Sequence, residues 1–331
     1  MKVLVTGGAG YIGSHVVKLL GETGDHDIVV LDNLSTGLVE AVLFGRFVKI
    51  DLGDFKAVEA LFQKEHFDAV IHFAAKIVVP ESIESPLLYY KNNTVNTANL
   101  IEVCVKYGVS KFIFSSTAAV YGEPEGGVAT ESTQTVPINP YGWSKLMSEQ
   151  VLHDVAVACE KFKYTALRYF NVAGADPDGK IGQNFPNATH LIKVSCQTAL
   201  GERDILSIFG TNFNTFDGTG VRDYIHVTDL ASAHIAALDY LKNNGESDTF
   251  NCGYGHGKSV FQVIKSVKKV SGVDFKVKTS NKRPGDPALL VADNSKILSG
   301  LDWSPKYQDL DFICKTSYEW EKKIVSTRKS L

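Results

Sequence analysis

Cysteine is scarce in this sequence and never clustered. The five residues Cys104, Cys159, Cys196, Cys252 and Cys314 form no CxxC pair. A zinc site needs clustered ligands, and a secreted disulfide scaffold needs dense, even cysteines. The expectation is therefore reduced, buried thiols, a cytoplasmic protein and no metal. Long apolar runs are missing too, since none approaches the ~20 residues of a membrane span. The N-terminal run is very short and goes straight into glycines, unlike a signal peptide. A basic excess is absent as well. The net charge of −3 gives no electrostatic case for nucleic acid or an anionic membrane. What remains is 331 residues with 44% hydrophobic and 21% charged, enough for a large soluble core.

The first half alternates strand and helix patterns. Short apolar runs at Val3–Thr6, Ile28–Leu31, Phe47–Ile50, Ala69–Phe73, Lys111–Ser115 and Tyr164–Tyr169 predict strands. Tyr11–Leu20, Val58–Phe62, Ser85–Tyr107 and Tyr141–Cys159 predict the helices between them. This rhythm implies right-handed crossovers and an α/β fold with a doubly wound, Rossmann-type parallel sheet. The rhythm fails after about Phe170, where glycine, asparagine and proline rise. Tyr224–Asp239 then reads as a return to strand and helix. The predicted division is 1–172 plus about 218–246 for the first domain, and about 173–217 plus 247–331 for a smaller C-terminal α/β substrate domain.

Gly7, Gly10 and Gly13 stand between the first strand and the first helix. The first permits the tight turn, the second lets a pyrophosphate approach the backbone, and the third lets helix and strand pack closely. The helix N-terminus then offers free N–H groups to phosphate. Asp32 ends the second strand near the spacing expected of a ribose-binding carboxylate. It would repel a 2′-phosphate, which favours NAD over NADP. The alternative for Asp32 is an ordinary turn aspartate. Asp51 and Leu52 follow the third strand and suit either an adenine contact or a helix cap.

Tyr141 and Lys145 lie four apart and share one helix face. A free phenol titrates near 10, too high for a base at neutral pH, and a nearby ammonium lowers it. Such a tyrosine can exchange a proton with a substrate hydroxyl. An exposed helix face is the plainer alternative. Thr117 follows the fifth strand, where hydroxyls point into the ligand crevice, although it also suits an ordinary turn.

The segments GGAGYIGSH, SSTAAVYG, NPYGWSK, RYFNVAGA, DGTGVRDYIHV and RPGDP together resemble the extended short-chain dehydrogenase/reductases. More narrowly they resemble the UDP-glucose 4-epimerase family, from Met1 to about Trp320. The resemblance implies an NAD-dependent isomerase acting on a UDP-sugar. Tyr141 would take the proton of the 4-hydroxyl while NAD accepts and then returns the C4 hydride. Lys145 would hold the nicotinamide ribose and the phenolate, and Thr117 the 4-oxygen.

The resemblance further implies an NAD lining of Tyr11, Ile12, Asp32, Asn33, Leu34, Ser35, Thr36, Gly37, Asp51, Leu52, Phe73, Ala74, Ala75, Asn92 and Phe170. Asn171, His190, Leu191, Arg222, Arg283 and Asp286 would hold the nucleotide sugar. Arginine suits a diphosphate because its fork donates two parallel hydrogen bonds. Two positions depart from the pattern. Lys76 sits one residue early and Ile77 takes the usual lysine place. Leu290 replaces the residue that gates the sugar pocket and is intermediate in size, so acceptance of UDP-GlcNAc and UDP-GalNAc beside UDP-glucose and UDP-galactose is expected. The two long helices imply a homodimer through a four-helix bundle. A nucleotide-sugar dehydratase would need acid–base residues after Thr117, where Ala118 and Ala119 stand. A non-catalytic NAD sensor would not need the tyrosine–lysine pair, and a simple dehydrogenase would accumulate NADH.

Overall fold

The computed structural model describes residues 1–185, 189–283 and 286–329. The chain begins β1 (Lys2–Thr6), α1 (Tyr11–Thr23), β2 (Asp27–Asp32), β3 (Arg46–Lys49), α2 (Phe55–Lys64) and β4 (Ala69–His72). Next come α3 (Val79–Glu84), α4 (Pro86–Tyr89), a π-helical turn (Tyr90–Val95), α5 (Asn96–Lys106) and β5 (Lys111–Ser115). β6 (Val128–Ala129), α6 (Pro140–Ala158), β7 (Lys163–Tyr169) and β8 (Asn171–Ala173) follow. The remainder is α7 (Leu191–Ala199), β9 (Leu206–Phe209), β10 (Val221–His226), α8 (Val227–Lys242), β11 (Asp248–Cys252) and β12 (Gly257–Ser259). α9 (Val260–Ser271), β13 (Val277–Ser280), β14 (Leu289–Ala292), α10 (Ser295–Gly300) and α11 (Leu310–Lys329) close the chain.

The large sheet is parallel with strand order β11-β7-β5-β4-β1-β2-β3. This is the doubly wound Rossmann arrangement expected from the alternation of patterns. Its central strands β1, β4 and β5 are mostly apolar and buried because helices cover both faces. Val3, Val5, Val30 and Ile71 face a core shared with Val16 and Leu20 of α1 and Leu230 and Leu238 of α8. Leu4, Val70 and Phe112 face the opposite core with Phe62, Leu100 and Leu152. The strand order reverses between β1 and β4, and ligands of such sheets bind beyond the carboxyl ends of the strands at that switch.

A smaller sheet, ordered β12-β10-β14-β6 with β8 beside β10, stands next to it, with a separate β9–β13 pair. The strands cross the sequence-based division. β10, expected to rejoin the first domain, pairs in the small sheet, while its following helix α8 packs on α1, β5 and β7. β11, beyond residue 246, becomes the outer strand of the large sheet beside β7. The helix expected over Ser85–Tyr107 is interrupted by the π-helical turn at Tyr90–Val95.

Candidate active site

The glycine turn is built by close approach. Gly7 has φ +71°, and a Cβ there would lie 2.5 Å from the Ala74 amide nitrogen. A Cβ on Gly13 would collide with the Gly7 carbonyl, so both positions need glycine. Gly10 begins α1 with no side-chain cap, and the first turn of the helix carries no acidic residue. The leading N–H groups at Tyr11, Ile12 and Gly13 therefore meet no competing carboxylate, which fits a pyrophosphate.

The strand ends complete a dinucleotide cradle. Asp32 is buried and its carboxylate accepts the Ala9 N–H at 3.1 Å and the Leu34 N–H at 2.8 Å. Burial raises its carboxyl above the ordinary value, against those backbone donors. Leu34 is left-handed at φ +60°, within the loop of Asn33, Ser35 and Thr36 that follows β2. Ser35 donates its N–H to the Asn33 side chain at 2.9 Å, and Gly37 packs on Ala9. Asn33 in turn donates to Asp51 at 2.7 Å. The cap of α2 is Asp54, which accepts from the Ala57 N–H, so Asp51 is not that cap. Leu52 is buried beside it. Phe73 donates its N–H to Thr6 at 2.9 Å and packs on His234, while Ala74 and Ala75 follow it past the turn. Lys76 is half-buried and Ile77 is 49% exposed, so the apolar side chain at the departing position points largely to solvent.

Tyr141, Lys145 and Thr117 converge beyond β5. Thr117 accepts the Ala119 N–H at 3.1 Å and hydrogen-bonds the Tyr141 phenol. Tyr141 is buried, with the Tyr89 ring edge-on at 6.4 Å. The Lys145 ammonium donates to the Ser115 carbonyl at 2.8 Å and lies 4.7 Å from the centre of the Phe114 ring. Burial pushes its pKa down to about 7, and the Glu149 charge opposes that. The exposed-face alternative for this pair is thereby removed. The electrostatics correct one expectation. Burial, followed by Tyr169, drives the Tyr141 phenol above its ordinary value, and only the Thr117 hydrogen bond pulls the other way. Lys145 is engaged with Ser115 instead, because a dry site disfavours either charge formed alone.

The sugar-side residues arise from distant segments. Asn171, His190 and Leu191 line a narrow cleft with Tyr11. The Gln183 side chain lies 3.0 Å from His190 Nδ1. Arg222 pairs with Asp286 and also donates to the Val221 carbonyl at 2.8 Å. The Arg283 guanidinium lies 3.7 Å from the centre of the Phe209 ring. Pro284 and Gly285 of the RPGDP segment lie outside the described residues. Leu290 packs in a small cluster with Ala118, Tyr121 and Phe170, next to Thr117.

Sequence reasoning missed Asn93. Its side chain accepts the Lys76 N–H at 2.8 Å, donates to the Lys76 carbonyl at 2.9 Å and donates to Ser144 at 3.0 Å. It thus ties the loop after β4 to α6 through the π-helical turn, while Asn92 donates to it at 2.9 Å. The Asn92-Asn93 pair gave a weak polar signal inside an otherwise amphipathic helix pattern. π-turns often mark functional sites, but nothing local in sequence announces one.

The pattern described as "NAD dependent epimerase/dehydratase family" matches residues 3–253. The UDP-glucose 4-epimerase of Azospirillum brasilense is 50% identical over 98% of this chain and 92% of its own length. The structure of the UDP-Glc/GlcNAc 4-epimerase from Campylobacter jejuni is 56% identical, covers 97% of this chain and 99% of its own, and superposes with a TM-score of 0.87. The Brucella ovis UDP-glucose 4-epimerase in complex with NAD is 43% identical, with coverages of 96% and 97% and a TM-score of 0.93.

Proposed function

Because the chain belongs to the NAD dependent epimerase/dehydratase family, we propose that it interconverts UDP-glucose and UDP-galactose at the site where Tyr141, Lys145 and Thr117 converge. That convergence beside the glycine turn is the observation that carries the reading. NAD, when bound, supplies a reversible two-electron acceptor for C4 of the sugar. Tyr141 withdraws the proton of the 4-hydroxyl and returns one when the 4-ketose has turned over. Thr117, bonded to the phenol, holds the 4-oxygen within reach. Lys145 stabilises the phenolate once formed and hydrogen-bonds the cofactor's ribose. Gly7, Gly10, Gly13 and Asp32 seat the dinucleotide. Arg222 and Arg283 take the sugar diphosphate, for which Asp286 holds Arg222 in place.

The direct test is incubation of purified protein with UDP-galactose and NAD, reading UDP-glucose formed. The expected result is an equilibrium mixture with no net NADH. Accumulating NADH would indicate a simple dehydrogenase, and a 6-deoxy-4-keto product a dehydratase. Ala118 and Ala119 offer that second chemistry no acid or base.

Leu290 beside Phe170 supports a wider pocket that also turns over UDP-GlcNAc and UDP-GalNAc, as the name of the Campylobacter relative suggests. Assaying both sugar pairs decides this, and no turnover of the acetylated pair rejects it. The homodimer rests on apolar residues left exposed on two adjacent helical stretches. Leu87 is 71%, Val95 47%, Trp143 38% and Met147 42% exposed. No helix among the described residues is long and apolar enough to cross a membrane. The scattered free thiols support a reducing, cytoplasmic setting.

A further inference from the structure

Glu149 lies one helical turn beyond Lys145, and its carboxylate is almost fully buried. A carboxylate there needs partners, and it has two kinds. Arg168 of β7 donates to it from Nε at 3.1 Å and from Nη2 at 2.6 Å. Ser116, the residue before Thr117, donates its hydroxyl to the same carboxylate. Arg168 also donates to the Tyr121 hydroxyl at 3.0 Å, and Tyr121 donates to Asn251 of β11 at 2.7 Å. Asn251 donates to the Ala129 carbonyl of β6 at 2.8 Å. One network therefore joins the helix carrying Tyr141 and Lys145, the strand end carrying Thr117, and a strand of the small sheet.

We propose that Glu149 is a positioning residue for the reaction: through Ser116 and Arg168 it sets where Thr117 and Lys145 stand relative to Tyr141. The inference rests on the epimerase reading of that site. A buried ion pair is commonly no more stabilising than apolar residues of the same volume, so stability alone does not explain it. Placement does. Ser116 lies next to Thr117 in the chain, and α6 is a single rigid helix, so the Ser116–Glu149 bond fixes the distance between the two halves of the proton-transfer pair. Electrostatics adds a second effect. The groups around Lys145 are Glu149 on its own helix, the Phe114 ring and Ser115 carbonyl of β5, and His72 of β4, which burial keeps neutral by lowering it to about 3. Glu149 is the one negative charge among them, and it favours the ammonium form of Lys145.

Two variants test this, each compared with the parent chain. Ser116→Ala removes only the link to the strand and leaves the ion pair in place. The expected result is a kcat about 10- to 100-fold lower, with KM and thermal midpoint unchanged. Parent-like kcat overturns the proposal. Glu149→Gln removes the charge, so Lys145 should lose its proton more easily and the kcat profile should move about one unit to lower pH. An unmoved profile in a folded variant overturns the electrostatic part. Should Glu149→Gln not fold with Arg168 stranded, Ser116→Ala still decides the placement. Nuclear magnetic resonance titration of the Lys145 ammonium, differenced against Lys145→Met versions, reads the same shift without turnover. A parent chain that binds NAD but leaves UDP-galactose unchanged refutes the epimerase reading instead, and the titration still judges Glu149.

Discussion

Tyr141 sits in a site that water cannot screen, and Thr117 is the one neighbour that favours its phenolate. Its phenol is held above the ordinary value by burial, so the chain alone favours the neutral form. Tyr141→Phe keeps the ring, its packing on Tyr89 and the space around the cofactor, and removes only the oxygen. The expected outcome is a fall in kcat of about 10²- to 10⁴-fold with the NAD content of the purified protein unchanged. Loss of NAD along with turnover would show that the residue acts in binding. Tyr141 and Lys145 were legible because an i,i+4 pair is a local property of a helix. Glu149 was not, although it continues the same spacing. A glutamate on a helix reads as a solvated face until a strand brings Arg168 beneath it.

At the scale of elements, the glycine turn and the π-helical turn contrast. Gly7, Gly10 and Gly13 announce themselves because only glycine tolerates φ +71° and the contacts seen at the first and third positions. Gly13→Ala drives a methyl into the Gly7 carbonyl and separates α1 from β1. We expect loss of NAD retention on gel filtration and a destabilisation of roughly 1–3 kcal/mol by denaturant titration. The π-helical turn has no such signature. Tyr90–Val95 looks helical by composition, and the extra residue shows only when Asn93 is found bonded to Lys76 and Ser144. Asp51 teaches the same lesson at shorter range. It suited a helix cap, and only the position of Ala57 assigns that role to Asp54 instead.

Across the whole molecule, burial sets a pH limit. His15, His72, His226 and His234 are each lowered by burial, to about 4, 3, 3 and 4, from 6.5. Below 6.5 the unfolded chain takes up protons on these histidines that the folded chain excludes, so their contribution to stability is complete above that value and is lost as pH falls. Thermal midpoints should fall steadily from about pH 6.5 toward pH 4, and a flat curve through that range would contradict the buried, neutral assignment. Assembly belongs to this scale too. Leu87 and Met147 lie on the exposed face that the proposed dimer covers. Light scattering should give twice the chain mass, and Leu87→Asp should lower it.

The sequence by itself determined the alternating α/β class, the glycine turn with its acidic partner at Asp32, and the tyrosine–lysine pair. Each is written in a short window, as a period of two or 3.6 residues, a required glycine or a helix spacing. Only the tertiary structure decided which sheet β10 and β11 join, because strand pairing between segments distant in sequence leaves no local mark. It alone brought Arg222 to Asp286, and Ser116 and Arg168 to Glu149. Charges of that kind are placed by long-range packing, where the cost of leaving a buried group unpaired forces the partners together.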